Sequence, residues 1–272
     1  WIMSELLEID GSVLEGGGQI LRNSISLSAI LGIPVRVTKI RAGRSKPGLA
    51  AQHLKGNTKT NTIMGTIGST EIEFWPGKLK GGLYKADTQT AGSISLLLQV
   101  ALPCALLADG PVKLDLSGGT NADMAPQIDY MTIVFMHTLK KFGAEFDLNI
   151  IKRGYFPRGG GQVKVSINPV RQLKSVDITE RGTITSILGW SFVSGQLPIK
   201  VQKSFSKVCD QAIIYMALAA GSSVLRVGEL TLHTRTAVHV AELITKFSIV
   251  ADGGQNLIEC TGLGVTNDSV PA

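Results

Sequence analysis

The stretch Glu15-Gly16-Gly17-Gly18-Gln19-Ile20-Leu21-Arg22 constrains this chain more than any other. It opens a helix, because Ile20, Leu21, Ile25, Leu27, Ile30 and Leu31 follow as a near-continuous buried-helix pattern up to the stop Gly32-Ile33-Pro34. Glycines at a helix start leave the backbone N–H groups uncovered, and those groups together with the helix dipole attract an anion such as phosphate. Glu15 before them and Arg22 one turn in add a metal ligand and a phosphate clamp. The glycines alone are unspecific. Neither G-x-x-x-x-G-K-[ST] nor G-x-G-x-x-G is present, and close packing is the competing reading.

The 272 residues are 44% hydrophobic and only 18% charged, which describes a globular chain able to bury a sizeable core in one large or two smaller domains. A net charge of +6 admits an acidic partner such as RNA without requiring one. Cys104, Cys209 and Cys260 are few and set among apolar residues, which predicts free buried thiols in a reducing compartment rather than a disulfide framework. No Cys/His spacing suggests zinc. No apolar run is long and charge-free enough to span a bilayer, no secretory signal pattern opens the chain, and an intracellular protein with no membrane partner is expected.

In chain order, residues 5–10 read as a strand, followed by the glycine turn and the helix to about Leu31. Val35 to Ile40 alternates as a half-buried strand, Arg41 to Gly48 is a basic loop, a helix is predicted from about Leu49 to Gly65, and Glu71 to Trp75 is a strand. A similar order returns. Thr90-Ala91-Gly92-Ser93 opens a helix through Leu107, Val112 to Leu116 is a strand, and Gly118-Gly119-Thr120-Asn121 is a glycine loop. A helix from about Pro126 to Phe142 and strands at 144–151 and 162–167 complete it. The third pass has a helix at 210–220, a strand at 223–227, a turn at Leu232-His233-Thr234, a helix from Thr236 to Lys246, and strands at 247–250 and 256–260. Helix, strand, loop, helix, strand, three times over, predicts an α/β fold of repeated units, each laying two helices on a small sheet. Packed around a common axis, the units would bring together the loops 41–48, 118–126 and 232–235.

Arg22, Arg41, Arg44 and Lys46 form the densest cationic set, and arginine grips phosphate bidentately; a solvated basic loop is the alternative. His233, at the end of an element, suits nucleophilic or acid/base work at neutral pH, against the commoner structural role of a lone histidine. Asp210 reads either as a helix N-cap or, with Glu15, as a ligand for a divalent cation on a nucleotide's phosphates. Phe156 to Gly161 is most simply a wide turn between strands.

Taken together, Glu15 to Arg22, Arg41 to Leu49, Gln52-His53-Leu54, Thr90 to Ser93, Gly118 to Asn121, Gly154 to Gly161 and Asp210-Gln211 resemble the RNA 3'-terminal phosphate cyclase family. The resemblance implies an ATP-dependent enzyme that turns an RNA 3'-phosphate end into a 2',3'-cyclic phosphate through a covalent histidine-AMP. It implies His233 as nucleophile, with Glu15, Arg22, Arg41, Arg44 and Gln52 acting on the phosphates of ATP or the RNA end. Gln99, Pro126, Asp210 and Gln211 would line the nucleotide site, and Glu15 with Asp210 would hold a divalent cation, Mg or Mn. RNA 3'-phosphate ends and ATP are the implied partners. The likeness to animal members of the family implies a nuclear location.

The family core is similarly three repeated α/β units, with a small α/β domain inserted between the second and third. Here 1–184 would hold units one and two, 185–207 a remnant of the insert, and 208–272 unit three. Most of the insert is absent, and Lys207 stands where the family often has an aromatic that packs on adenine. Two other functions follow from other readings. A non-catalytic cyclase-like scaffold in RNA processing or ribosome assembly would lack the nucleophilic histidine. An enolpyruvyl-transferase-type enzyme of similar repeats would give His233 no role.

Overall fold

The computed structural model describes residues 6–44, 47–49, 62–64, 66–122, 124–180, 209–227, 229–245, 249–252 and 257–271, with the backbone alone for 62–64, 209–210 and 249–252. It is a mixed α/β structure with three four-stranded sheets and several helices.

The first sheet contains β1 (Leu7–Asp10), β2 (Val35–Thr38), β3 (Thr62–Met64) and β4 (Ile72–Trp75) in the order β1-β2-β4-β3. Between β1 and β2 runs α1 (Gly18–Leu31), which buries Ile20, Leu21, Ile25 and Leu27 as its periodicity predicts. Gly32, with φ 70, ends it by donating its N–H to the Ser28 carbonyl at 2.9 Å. A left-handed cap costs glycine nothing, and Pro34 forbids continuation. The helix expected from about Leu49 to Gly65 is corrected at its end, where Thr62–Met64 is a strand paired to β4. Pairing along a sheet edge has overridden local propensity there, and most of the remaining span lies outside the described residues.

The second sheet is β5 (Gly82–Asp87), β6 (Val112–Gly118), β8 (Gly161–Ile167) and β7 (Phe146–Lys152), in that spatial order. β5 escapes the sequence reading because as an edge strand it has no fully buried residue and so no apolar run to mark it. Helix α2 (Ile94–Leu106) is capped by the Ser93 side chain, which accepts from the Leu96 N–H at 3.4 Å. The helix expected from Pro126 is a rod of three pieces, α3 (Ile128–Tyr130), a π-helical turn (Met131–Phe135) and α4 (Met136–Lys141).

The third sheet is β9 (Asp177–Ile178), β10 (Ala220–Arg226), β12 (Leu257–Leu263) and β11 (Ile249–Asp252) in spatial order. It carries α5 (Cys209–Leu218) and α6 (Leu232–Thr245). The turn at 232–234 is corrected: α6 begins at Leu232, so His233 stands in its first turn. Thr231 Oγ1 accepts the Thr234 N–H at 3.2 Å and caps a helix that starts four residues before the expected Thr236.

Each sheet has the same pairing sense, one parallel pair (β1/β2, β5/β6, β9/β10) followed by two antiparallel pairs. Helix α1 is central: it packs on its own sheet, on α2 and on α6. Buried serines at 24, 26 and 28 keep its flank slim. Tyr215 of α5 packs against Phe135 and Phe142, with ring centroids 5.7 and 6.0 Å apart, closing the core between the helical rod and α5. Among the described residues no helix is long and apolar enough to cross a membrane.

Candidate active site at the glycine-rich helix start

The end of α1 that the sequence singles out is bare of side-chain caps. Gly17 is its N-cap residue, has no side-chain hydrogen bond to offer, and no acidic residue lies in the first turn. The carboxylate of Glu15 folds back over this end instead. A Cβ placed on Gly17 would lie 2.6 Å from Glu15 Oε1 and 3.2 Å from Arg44 Nη2, so glycine there makes room for a carboxylate and a guanidinium at the positive end of the helix.

Glu15 is the hub. Its Oε1 accepts from Arg44 Nη2 at 2.8 Å, and its Oε2 lies 2.6 Å from Nδ1 of His233. The Glu15 side chain is only 14% exposed while those of Arg44 and His233 are each 45% exposed, so the carboxylate is a buried anchor between two half-exposed partners. Burial pushes the Glu15 carboxyl up, but the contact with His233 and the charges of His233, Arg44 and Arg22 outweigh it and hold the group below the usual glutamate range. The Glu15 backbone N–H reaches Thr236 Oγ1 at 3.4 Å, and that hydroxyl donates to the Leu232 carbonyl at 2.8 Å. Thr236 thus ties the glycine turn to the first turn of α6, a connection the sequence reading missed. Its signal was the spacing: three residues after His233 is the next position on the same helix face.

Leu14, next to Glu15, has φ 55, and Arg41 in the basic loop has φ 54. Left-handed backbone at residues other than glycine is costly and gathers at functional sites. Arg41 donates from Nη1 to its own loop's Gly48 carbonyl at 3.0 Å, which fixes the loop that presents Arg44.

A second group lies deeper along α1. Arg22 Nε donates to Gln99 Oε1 of α2 at 2.8 Å. Gln99, Gln211, Gln19, Asn23 and Tyr215 line a cavity of about 20 Å³, the size of one water. Gln19 Oε1 and both amide atoms of Gln211 are buried without a hydrogen-bond partner among the described residues, which is rare for buried polar atoms. Gln19 and Asn23 were not singled out from sequence, although a glutamine at the head of an apolar helix stripe is such a signal. Pro126 stands apart from this cavity, its carbonyl accepting from the Ser95 hydroxyl. Of the expected site residues, then, Glu15, Arg44 and His233 meet directly, Arg22 acts on Glu15 through its charge and bonds Gln99, and Gln99 and Gln211 line the same cavity. Gln52 and the side chain of Asp210 lie outside the described residues, as do Ser45, Lys46, His53 and Lys207. No group of three or more His, Cys, Asp or Glu side chains suited to a metal occurs among the described residues.

The site is that of an α/β protein whose uncapped helix start, beside a histidine–carboxylate pair and Arg44, has the donors to hold an anionic group such as phosphate. A model of the family "RNA 3'-terminal phosphate cyclase" matches residues 13–250. A protein of that name from Drosophila melanogaster is 37% identical over 97% of this chain and 98% of its own length. One from Pyrobaculum aerophilum is 34% identical over 95% of this chain and 99% of its own, and one from Methanopyrus kandleri is 42% identical over 76% and 60%. The chain belongs to the RNA 3'-terminal phosphate cyclase family. The alignment with the fly protein extends over 354 positions against a chain of 272 residues, so that relative carries residues without counterpart here. Among solved structures, an EPSP synthase from Acinetobacter baumannii is similar at a TM-score of 0.49 and 14% identity, over 96% of this chain and 49% of that one.

Proposed function

We propose that this chain converts RNA 3'-phosphate ends to 2',3'-cyclic phosphates at the expense of ATP, with His233 carrying AMP between them. The observation behind this reading is the 2.6 Å contact of Glu15 Oε2 with His233 Nδ1 at the uncapped start of α1. A carboxylate on Nδ1 favours the tautomer with its proton there and its lone pair on Nε2, which makes Nε2 the nucleophilic atom. Nε2 bonds to the α-phosphorus of ATP, the bridging oxygen to the β-phosphate breaks away, and pyrophosphate leaves. An oxygen of the RNA 3'-phosphate then displaces His233 from the adenylyl phosphorus. The 2'-hydroxyl attacks the activated 3'-phosphorus, loses its proton and expels AMP.

The residues present fit a triphosphate. Bare N–H groups of α1, Arg22 and the half-exposed Arg44 supply the positive field, and Gln211 keeps the nucleotide role implied by the resemblance. Gln99 would hold Arg22 in place, Arg41 would hold the loop of Arg44, and Gln52, Pro126 and Asp210 retain the nucleotide and phosphate roles implied by the resemblance. A divalent cation, Mg²⁺ or Mn²⁺, would be held by Glu15 with Asp210 and phosphate oxygens, and would neutralise developing charge on the leaving pyrophosphate. Glu15, kept ionised by its neighbours, is suited to that task. The shared strand pairing of the three sheets supports reading the core as three copies of one unit around a common axis, with units one and two in 1–184 and unit three in 208–272. The longer fly relative supports placing a shortened insert at 185–207.

The test is to incubate the full chain with ATP labelled at the α-phosphate and a divalent cation. The expected result is an acid-labile label on His233 and none on His233→Ala. Absence of label on folded parent protein would overturn the reading and favour the non-catalytic scaffold.

A further inference from the structure

The turn Gly154 to Gly161 lies outside the machinery described above, yet it is tightly built. Thr120 N–H donates to the Gly154 carbonyl at 2.9 Å, the Gly154 N–H returns to Thr120 Oγ1 at 3.1 Å, and the Gly159 N–H donates to the Tyr155 carbonyl at 2.7 Å. Gly159, with φ +68, sits so close to the loop before α2 that a Cβ on it would stand 2.3 Å from the Thr90 carbonyl oxygen. So firmly seated a turn nevertheless holds its large aromatic away from the core: Phe156 is 74% exposed. Arg158 two residues on is exposed and makes no ion pair or hydrogen bond among the described residues, whereas neighbouring Arg153 is spent on a bidentate pair with Asp129 at 2.6 and 2.7 Å. Met124, on the loop that follows the Asn121–Tyr155 bridge, is 93% exposed.

The position of the turn gives it meaning. Helices α1 and α2 run side by side in the same direction, with Arg22 against Gln99 and, further along, Ser26 Oγ 3.1 Å from the Val100 carbonyl and Cys104 Sγ 3.9 Å from the Ser26 carbonyl. Arg22 is little more than a turn into α1 and Gln99 under two turns into α2. The loops that precede both helices therefore share one end of the pair, Glu15 to Gly17 on one and Thr90 with the seated turn on the other.

We infer that Phe156 and Arg158 form a docking platform for the single-stranded RNA that leads to the reacting 3'-phosphate, Phe156 stacking on a base and Arg158 pairing with a backbone phosphate. This rests on the cyclase reading for the identity of the RNA. Unpaired bases stack on exposed aromatic side chains irrespective of sequence, and an exposed arginine two residues along the same turn, with no partner among the described residues, suits a phosphate of the same strand. The net charge of +6 agrees with an anionic partner.

The test measures binding of a dye-labelled, 3'-phosphorylated oligoribonucleotide by fluorescence anisotropy, which needs no turnover. Phe156→Ala is expected to weaken binding about tenfold, within the range known for loss of one base–aromatic stack. Phe156→Trp should restore it. Arg158→Ala should lower the dependence of log affinity on log salt by about one. Phe156 is exposed, so its replacement leaves folding within the small range of surface substitutions, checked by thermal unfolding. Parent-like RNA affinity in Phe156→Ala, or a parent chain that binds no RNA, overturns the platform. AMP labelling of His233 with an unchanged Phe156→Ala affinity rejects the platform alone. A tenfold loss in a chain that takes no label rejects the cyclase reading and keeps the platform.

Discussion

Glu15 Oε2 stands 2.6 Å from His233 Nδ1, joining the loop ahead of the first helix to the first turn of the last one. A carboxylate thereby fixes which imidazole nitrogen faces it, and Arg44, 2.8 Å from the other oxygen, keeps that carboxylate in position.

His233→Ala is expected to reduce AMP labelling to background and to destabilise the fold by about 1–3 kcal/mol, because it leaves the mostly buried Glu15 Oε2 without its 2.6 Å partner. Labelling followed on denaturing gels, beside a denaturant melt, checks both halves.

Glu15→Gln keeps the shape and removes the charge. Loss of a carboxylate that orients a functional histidine typically costs about 10- to 100-fold, and the labelling rate should fall by that much. The stability effect has a defined sign. Its neighbours hold the folded-state pKa of Glu15 below the usual glutamate range, so its stabilising contribution is complete above the unfolded-state pKa and lost as pH falls through the lower folded-state one. Parent and Glu15→Gln denaturation midpoints should therefore differ at neutral pH and converge in acid.

Gly17→Ala tests the space over the helix start. The backbone there, φ −107 and ψ −171, admits alanine, so folding should cost no more than about 1 kcal/mol, the usual scale of an N-cap change. The new methyl would stand 2.6 Å from Glu15 Oε1 and must displace it. A drop of about tenfold in labelling is expected, as for other changes that misplace an orienting carboxylate.

Asn267→Ala addresses the tail. Asn267 is buried, donates from Nδ2 to the Ala108 carbonyl at 2.7 Å, and through its backbone N–H to the Arg171 carbonyl at 2.7 Å. Removing the amide strands a carbonyl, which costs about 1–3 kcal/mol. Urea melts should show that loss while AMP labelling of the folded variant persists.

The α/β class and most elements were legible because they rest on local rules. The apolar spacing in α1, the Gly32–Pro34 stop and the helix opened by Thr90 to Ser93 rest on a few residues each, and the structure places each as read. What failed had two sources: β3 exists because β4 offers it an edge and β5 lies on a sheet edge with no buried residue, whereas α6 starts early because of a local cap, Thr231, that the reading passed over.

The sequence by itself determined that a glycine-rich helix start, a basic loop and a lone histidine existed, since those are properties of residue type and neighbours. Only the tertiary structure decided that Glu15, Arg44 and His233 touch, because α1 packs on α6 through buried side chains far apart in the chain. A mostly buried carboxylate held between a guanidinium and an imidazole is a product of that packing, and no local pattern encodes it.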